Sequence, residues 1–510
     1  MKKIALFFLL IMFVFSGKSQ VKSIVEGKEF ARAKTESFNG FIGENNLEVF
    51  TVDYIYSSKK KKELIARKFF KSDLSVTLEQ DIFHNPLSDN YYSDPYEALL
   101  VGSKIYLFSI FTHLKEQTTT LGLAIYNESL KVESFEIIDS IAKLSNTNIL
   151  IQVSDDQKAI LVSQNHPHNI TSKESINLNC LNLKGQSIWK KQLVSFNTVS
   201  RVNVEKIVFP SEKEVFMLCN YGFNNNRSAD RDDMKLLTNK YTLWAYNHNL
   251  NFLKEVDLRL KLKWLNGVDI SIKENGQLLI SGFTNSSRDF AIDATFNVEL
   301  NKKYNVVQNN YYKFSATDIK LFKNPNNKKE QLNNFFLKHV VPLQDGSFYM
   351  IGEQYYTFMD RVYDPRTNTT STTEHFNYGF LLIAYFDKKG KFLWLKRLPK
   401  LQNSTNDNGY ASSFSLFKKN NNLNIIYNDH NQNKDIDIEN IKDLKPLFNG
   451  RRNALSIASI NPEGEIIRKQ INLLENNYLL YAKKTMQVST EQMWLFMELG
   501  RKTKIIGLTF

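Results

Sequence analysis

The residues predict an all-β chain, a single β-propeller of four-stranded antiparallel blades. Three observations carry this: a turn that recurs at blade-sized intervals, a second hairpin upstream of most of its copies, and a composition rich in strand-forming aromatics. The chain holds 37 Phe and 23 Tyr among 510 residues, against only 10 Pro and 20 Gly, a balance that suits pleated, half-buried surfaces.

In the recurring turn an apolar strand runs into a short segment containing Asn, Asp or Lys and then into a second, alternating strand. Its copies are Phe70–Ser75, Tyr126–Lys131, Leu181–Gln186, Tyr246–Asn251, Leu300–Asn305, Phe386–Lys391 and Ile460–Glu465. The fifth residues, Leu74, Leu130, Gly185, Leu250, Tyr304, Gly390 and Gly464, are spaced by 56, 55, 65, 54, 86 and 74 residues. Such a period marks a repeat architecture with insertions rather than a string of unrelated domains.

The upstream hairpins have tips at Ser154–Gln157, Ser211–Glu214, Lys273–Gly276, Gln344–Gly346 and Lys418–Asn421. Asn275-Gly276 and Asp345-Gly346 are strong hairpin signals, because both central residues of a tight two-residue turn need positive φ. One complete unit, labelled A to D, therefore reads Phe336–Pro342, Ser347–Gly352, Gly379–Phe386 and Lys391–Leu398.

The last unit, Tyr478–Phe510, has strands like A, B and C, and the chain then stops. The segment Lys28–Phe38 is free to supply the missing outer strand, so that N- and C-terminal strands pair within one blade and leave few open edges. Seven turns and this terminal unit give eight blades. Seven is the alternative, since the first inner strand around Phe38–Ile42 is faint. No linker divides residues 20–510 into further domains, and a short helix at Asp435–Leu447 would be an insertion.

The N-terminus has the form of a signal peptide, residues 1–19. Lys2 and Lys3 precede an apolar run from Ile4 to Phe15, and Gly17 and Ser19 offer small residues before a cut at Gln20. An uncleaved anchor is the competing reading, but the run is short for a bilayer span. No later stretch reaches 18 consecutive apolar residues, so no membrane span is expected after cleavage. The expectation is export, to the periplasm or beyond the cell, as a monomer.

The formal charge is +13, of which Lys2, Lys3 and Lys18 would leave with the leader. A basic surface can favour anionic partners. The lysines are nevertheless scattered over strand and turn positions, Lys59–Lys62 being the one dense run, which reads as solubilising, edge-protecting charge and not as a nucleic-acid surface. Cys180 and Cys219 both fall in apolar strands, where two buried free thiols and one disulfide are both compatible with export.

Three stretches resemble a family of secreted, propeller-like proteins of unknown function common in Bacteroidetes: Gly379–Asp387, Trp394–Gln402 and Ile425–His430. The resemblance covers the sixth and seventh units and implies export and a propeller fold. It brings no activity with it.

The long insertions Gln164–Glu174, Tyr221–Lys240, Thr357–Tyr378 and Asp429–Asn453 all lie between strands B and C. In a propeller those connections share one face with the D-to-A connections, so function is expected there, near the central channel. Lys400, Gln402, Asn428, Asp429, His430 and Asn431 are the candidate ligand-binding residues. The first two follow strand D of one unit and the rest end strand B of the next, which brings them to one rim. They offer a cation, amides and a carboxylate, suited to polar recognition of a glycan or protein. The same groups could instead satisfy their own strand ends.

No catalytic, metal or cofactor motif stands out. His166 and His168 lack a third ligand at a defined spacing. Asp435, Asp437 and Glu439 lack the glycine of a calcium loop, and Asp230, Asp232 and Asp233 are interleaved with Arg231. Trp189 and Trp394 follow their turn glycines by four residues, a spacing seen in quinoprotein propellers but also expected of tryptophans packed between blades. Neither a cofactor nor a metal is predicted. The leading expectation is an exported binding scaffold for an envelope or extracellular protein or glycan. The alternative is a polysaccharide or peptide hydrolase or lyase with carboxylates from different blades.

Overall fold

A computed structural model describes residues 21–510 apart from 33–35, 57–61, 83–86, 88–89, 117, 142–147, 166–174, 195–200, 223–240, 259–263, 287–290, 323–331, 437–440, 472 and 474–477. The signal segment, His166 and His168, the Asp230–Asp233 cluster, and Asp437 and Glu439 therefore lie outside the described residues.

Strand follows strand antiparallel through sheets 1 (36–81), 2 (91–141), 3 (148–194), 4 (201–257), 5 (264–313), 6 (335–398) and 7 (415–471). The last sheet joins 479–509 to 23–31. The fold is a β-propeller. First strands touch the first strands of neighbouring sheets, as Tyr91–Val101 does Glu36–Glu44, and so line the axis. Second and third strands are covered on both faces: every residue of Ala159–Asn165, Leu278–Asn285 and Ala294–Leu300 is buried. Fourth strands alternate, as in Val306–Lys313, and form the outer wall.

The core is divided among the seams between sheets. Phe50, Val52 and Leu64 of sheet 1 meet Ile105, Leu107 and Leu130 of sheet 2, and comparable clusters join each later pair. One more cluster packs Phe38, Val49 and Phe69 of sheet 1 against Trp494, Phe496 and Ile505 of the last sheet, and the succession closes on itself. Both apolar faces of each sheet are thereby removed from water, each contributing on the order of 25 cal/mol per Å² of apolar surface covered.

Five of the seven copies of the repeated turn share one geometry. At its head an Asn or Asp carboxamide or carboxylate accepts backbone N–H groups across the turn: Asn127 from Ser129 and Lys131, Asn182 from Lys184 and Gln186, Asp387 from Lys389 and Lys391. The residue that reverses the chain is left-handed: φ is 54° at Leu74, 58° at Leu130, 82° at Gly185, 56° at Tyr304, 63° at Gly390 and 81° at Gly464. A register shift follows at Phe69, Leu181, Leu300 and Phe386, as in a type I turn closed by a bulge. In the fourth unit the left-handed residue is Asn251, not Leu250, whose side chain is exposed; asparagine tolerates that region where leucine resists it.

The expected closure strand also shifts. Ser23–Glu26 pairs with Ile506–Thr509 and Phe30–Ala31 with Lys502–Thr503, so the outer strand begins before Lys28. Phe38 is committed elsewhere: it stacks on Phe496 at 3.5 Å as part of the inner strand of sheet 1. Of the helix expected at Asp435–Leu447, residues 437–440 lie outside the described residues, and the described part holds a 3-10 turn, Ile441–Asp443, and the start of a short strand, Leu447–Phe448. Cys180 and Cys219 are buried in the seam between sheets 3 and 4, and no disulfide joins them.

Candidate functional site: one elaborated face

Turns between first and second strands, and between third and fourth, are tight. The longer described connections lie on the opposite face. Thr357–Tyr378, expected to be a loop, is instead a two-stranded ribbon that prolongs strands Phe348–Asp364 and Thr369–Phe386 of sheet 6 away from the seam, with residues 356–370 exposed. The base of this ribbon pairs with Gln402–Thr405, through His375 to Thr405 and Tyr378 to Gln402. On its other edge Gln402–Asn403 pairs in parallel with Leu447–Phe448, from the insertion in sheet 7. Connections from sheets 6 and 7 are thus zipped into one platform.

Beside this platform is a cleft of about 220 Å³, lined by Gln402, Asn403, Ser404, Thr405, Asp407, Tyr410, Ala411, Ser412, Leu447, Asn449, Gly450 and Leu479. Asn449 accepts from the Thr405 amide at 2.9 Å, and Asp407 accepts from Ser404 Oγ at 2.6 Å and the Gly409 amide at 2.9 Å. Asn406, Asn408, Ser413, Asn449 and Arg452 all have left-handed φ, between 47° and 77°. Backbone held in that region at a cost concentrates where surrounding structure over-determines it, commonly at binding surfaces.

The six candidate residues do converge on this rim, but five are turned inward. Lys400 is 0% and Asp429 1% exposed, and Gln402, Asn428 and His430 are also buried; Asn431 alone is exposed. Lys400 Nζ lies 2.9 Å from Glu353 Oε1 and donates to Gln402 Oε1 at 2.9 Å. Gln402 donates to the Asn428 carbonyl at 2.8 Å, and Asn428 ties Ala411 to Leu480 through their carbonyls. Asp429 accepts from Asn433 at 2.7 Å and from the His430 amide at 2.8 Å. Lys400, Gln402 and Asn428 thus tie sheets 6 and 7 and the last sheet together, Asp429 and His430 are bonded within sheet 7, and Gln402 also lines the cleft. Their density follows from burial, since an unpaired polar group here would cost about 1–3 kcal/mol.

Charges at this junction are shifted by burial and by one another. Burial works to raise the Glu353 carboxyl, but the ammonium groups of Lys400 and Lys338 outweigh it and hold it below the usual range. Burial lowers Lys400, against the pull of Glu353. Burial also raises Asp429, opposed by Asn433 and Arg468.

Glu353, Lys338, Lys483, Tyr378, Tyr410 and Asn449 complete this region and were not singled out from sequence. They come from six separate places along the chain and leave no local motif. Trp189 and Trp394 are settled as seam residues: their indole N–H groups donate to the carbonyls of Glu212 and Pro462 in the next sheet, each at 2.8 Å. Among the described residues no three His, Cys, Asp or Glu side chains are placed to hold a metal ion, and no helix is long and apolar enough to cross a membrane.

No family model matches this chain, and no curated protein sequence does. Solved structures share the architecture at low similarity. The WD40 domain of SCAP from fission yeast aligns over 94% of this chain and 99% of its own, at 10% identity and a TM-score of 0.39. The β-propeller domain of the trilobed protease from Pyrococcus furiosus aligns over 87% and 97%, at 10% identity and 0.35. The acylaminoacyl peptidase of Pyrococcus horikoshii aligns over 92% of this chain and 58% of its own, at 8% identity and 0.35. At such values the likeness is one of fold alone.

Proposed function

We propose that this chain is an exported scaffold, a ring whose sheets are eight blades, that binds a protein or glycan through the face bearing the second-to-third and fourth-to-first connections. One observation carries the reading: the described elaborations sit on one face, and those of sheets 6 and 7 are paired into a platform around a cleft of mixed polar and apolar lining. Insertions tolerated at random would fall on both faces, whereas a rigid frame with one variable face is how folds usually present a binding site. Tyr410, 38% exposed at the cleft, and the exposed Asn449 supply an aromatic surface and an amide, a pairing suited to sugars or peptides.

The test is saturable binding of the exported chain to a glycan array and to envelope proteins, beside Tyr410→Ala and Asn449→Ala. Binding weakened by both variants supports the cleft as the site. Binding that neither variant changes, or none at all, removes it. Export itself is checked by the mass of the secreted chain, expected to begin at Gln20.

A further inference from the structure

Where the sheet 6 ribbon meets the channel, three lysines from three parts of the chain surround a single contacting carboxylate. Lys400, in the connection leaving sheet 6, pairs with Glu353 at 2.9 Å; Lys338, on the inner strand of sheet 6, approaches the same carboxylate at 3.5 Å. Lys483, from the inner segment of the last sheet, donates to Tyr378 Oη at 2.9 Å and the Gly409 carbonyl at 3.3 Å. All three are gathered over one aromatic pair. Tyr355 and Tyr378 have ring centroids 4.6 Å apart, with Lys483 4.9 Å and Lys400 5.8 Å from the Tyr378 ring and Lys338 5.9 Å from that of Tyr355.

Among the described residues Glu353 is the only carboxylate in contact with these ammonium groups; Asp407 and Asp429 act on them from further off. Glu353 is fully enclosed and already committed to Lys400 and to Ser413 Oγ, at 2.7 Å. The next carboxylate facing Lys483, Asp407, is held by Ser404 and the Gly409 amide. Lys400 is buried, but Lys483 is exposed and the Lys338 side chain is 31% accessible, so two of the three lysine side chains have accessible surface beside the cleft. Lys484, also exposed, follows directly. Burial lowers Lys483, Lys338 and Lys400 push it the same way, and Glu353 and Asp407 oppose them without restoring it.

Resting on the glycan-binding reading above, we infer that Lys338 and Lys483 form an anion subsite at the edge of the cleft, which selects an acidic saccharide by its carboxylate or sulfate group. A ligand anion would complete the charge balance that the protein's own carboxylates leave open. Its sugar ring would extend toward Tyr410, Asn449 and Ser404. Buried surroundings make such charge-assisted contacts stronger than in open water.

The test measures binding of the full exported chain to a fluorescent oligogalacturonate and to a sulfated oligosaccharide, against a neutral glucan oligomer of equal length. Lys338→Gln and Lys483→Gln are compared with Lys303→Gln, an exposed lysine in a turn on the opposite face. Loss of one such contact should weaken the acidic ligand about tenfold, leave the neutral oligomer unchanged and flatten the salt dependence; Lys303→Gln should do none of these. Preference for the carboxylated or the sulfated probe identifies the anionic group. Equal affinity for neutral and acidic probes, indifference to Lys338→Gln and Lys483→Gln, or binding of neither acidic probe would overturn the inference. Cleft-dependent binding of the neutral glucan would still uphold the broader proposal.

Discussion

Lys400 and Glu353 form an ion pair at 2.9 Å in which neither side chain has any accessible surface, although they lie 47 positions apart and on different elements. Breaking such a pair on one side strands the other charge, at about 3–5 kcal/mol. Lys400→Met is therefore expected to lose stability on that scale, read as a shift in urea midpoint. Lys400→Met combined with Glu353→Gln should recover part of the loss, because the stranded charge is gone. An equal loss in both would assign the damage to packing.

The left-handed leucines pose two opposing costs. Leu130 at φ 58° carries roughly 1–2 kcal/mol of backbone strain, which glycine would relieve. Its side chain is nevertheless 1% exposed and wedged into the seam with sheet 1, where losing a leucine costs about 2–5 kcal/mol. Burial wins, so Leu130→Gly should destabilise. Where the turn already has glycine no such side chain fits: a Cβ at Gly464 would lie 3.2 Å from the Trp394 ring. Gly464→Leu should destabilise as well, and a stabilised protein in either case would contradict this account of the turn.

This turn also explains what could be read without coordinates. Asn127, Asn182, Asn301, Asp387 and Asn461 head it, and their fixed offset to the left-handed residue is a local property, visible in any one copy. The repeated four-stranded unit follows from that spacing, whereas the side on which an insertion falls depends on placing the hairpins between the turns. The site was legible only as a neighbourhood. Topology puts residues 400–402 and 428–431 on one rim, but whether a lysine there faces solvent depends on Glu353, distant in sequence. The ribbon reads as a loop from sequence because its two arms pair with each other from Tyr355–Tyr378 out to Asp364–Thr369, beyond the period of the repeat.

His339 tests the channel. It keeps accessible surface on the inner strand of sheet 6, yet burial by the surrounding walls, with Lys206 and Lys338 adding to it and Asp269 opposing, pushes its imidazole down to about 4. The folded protein then binds fewer protons than the unfolded chain between about pH 4 and its ordinary value near 6.5. Its contribution is full above that ordinary value and declines as pH falls through the window. The imidazole resonance should stay in its neutral position down to pH 5, and stability should fall less steeply with acid in His339→Gln. A midpoint near 6.5 would mean that bulk water reaches the ring.

The paired termini make the strongest demand on the fold. Ser23–Ala31 supplies the outer edge of the last sheet, and its charges are matched there: Glu26 accepts from Lys504 at 2.7 Å, and Glu29 meets Tyr478. A chain beginning at Glu36 would leave Lys502–Thr509 with an unpaired edge. It would also open the seam in which Phe38, Phe69 and Trp494 are packed, since Val25 and Phe30 lie against that cluster. Ladder bonds and apolar cover are lost together, so the truncated chain is expected to unfold at a lower denaturant concentration and to self-associate through the exposed edge, as open strands do. Adding a peptide spanning residues 21–32 should restore both properties by refilling the edge. Unfolding and light-scattering measurements that leave the truncated chain indistinguishable from the whole would show that the other seams hold the ring without its closure.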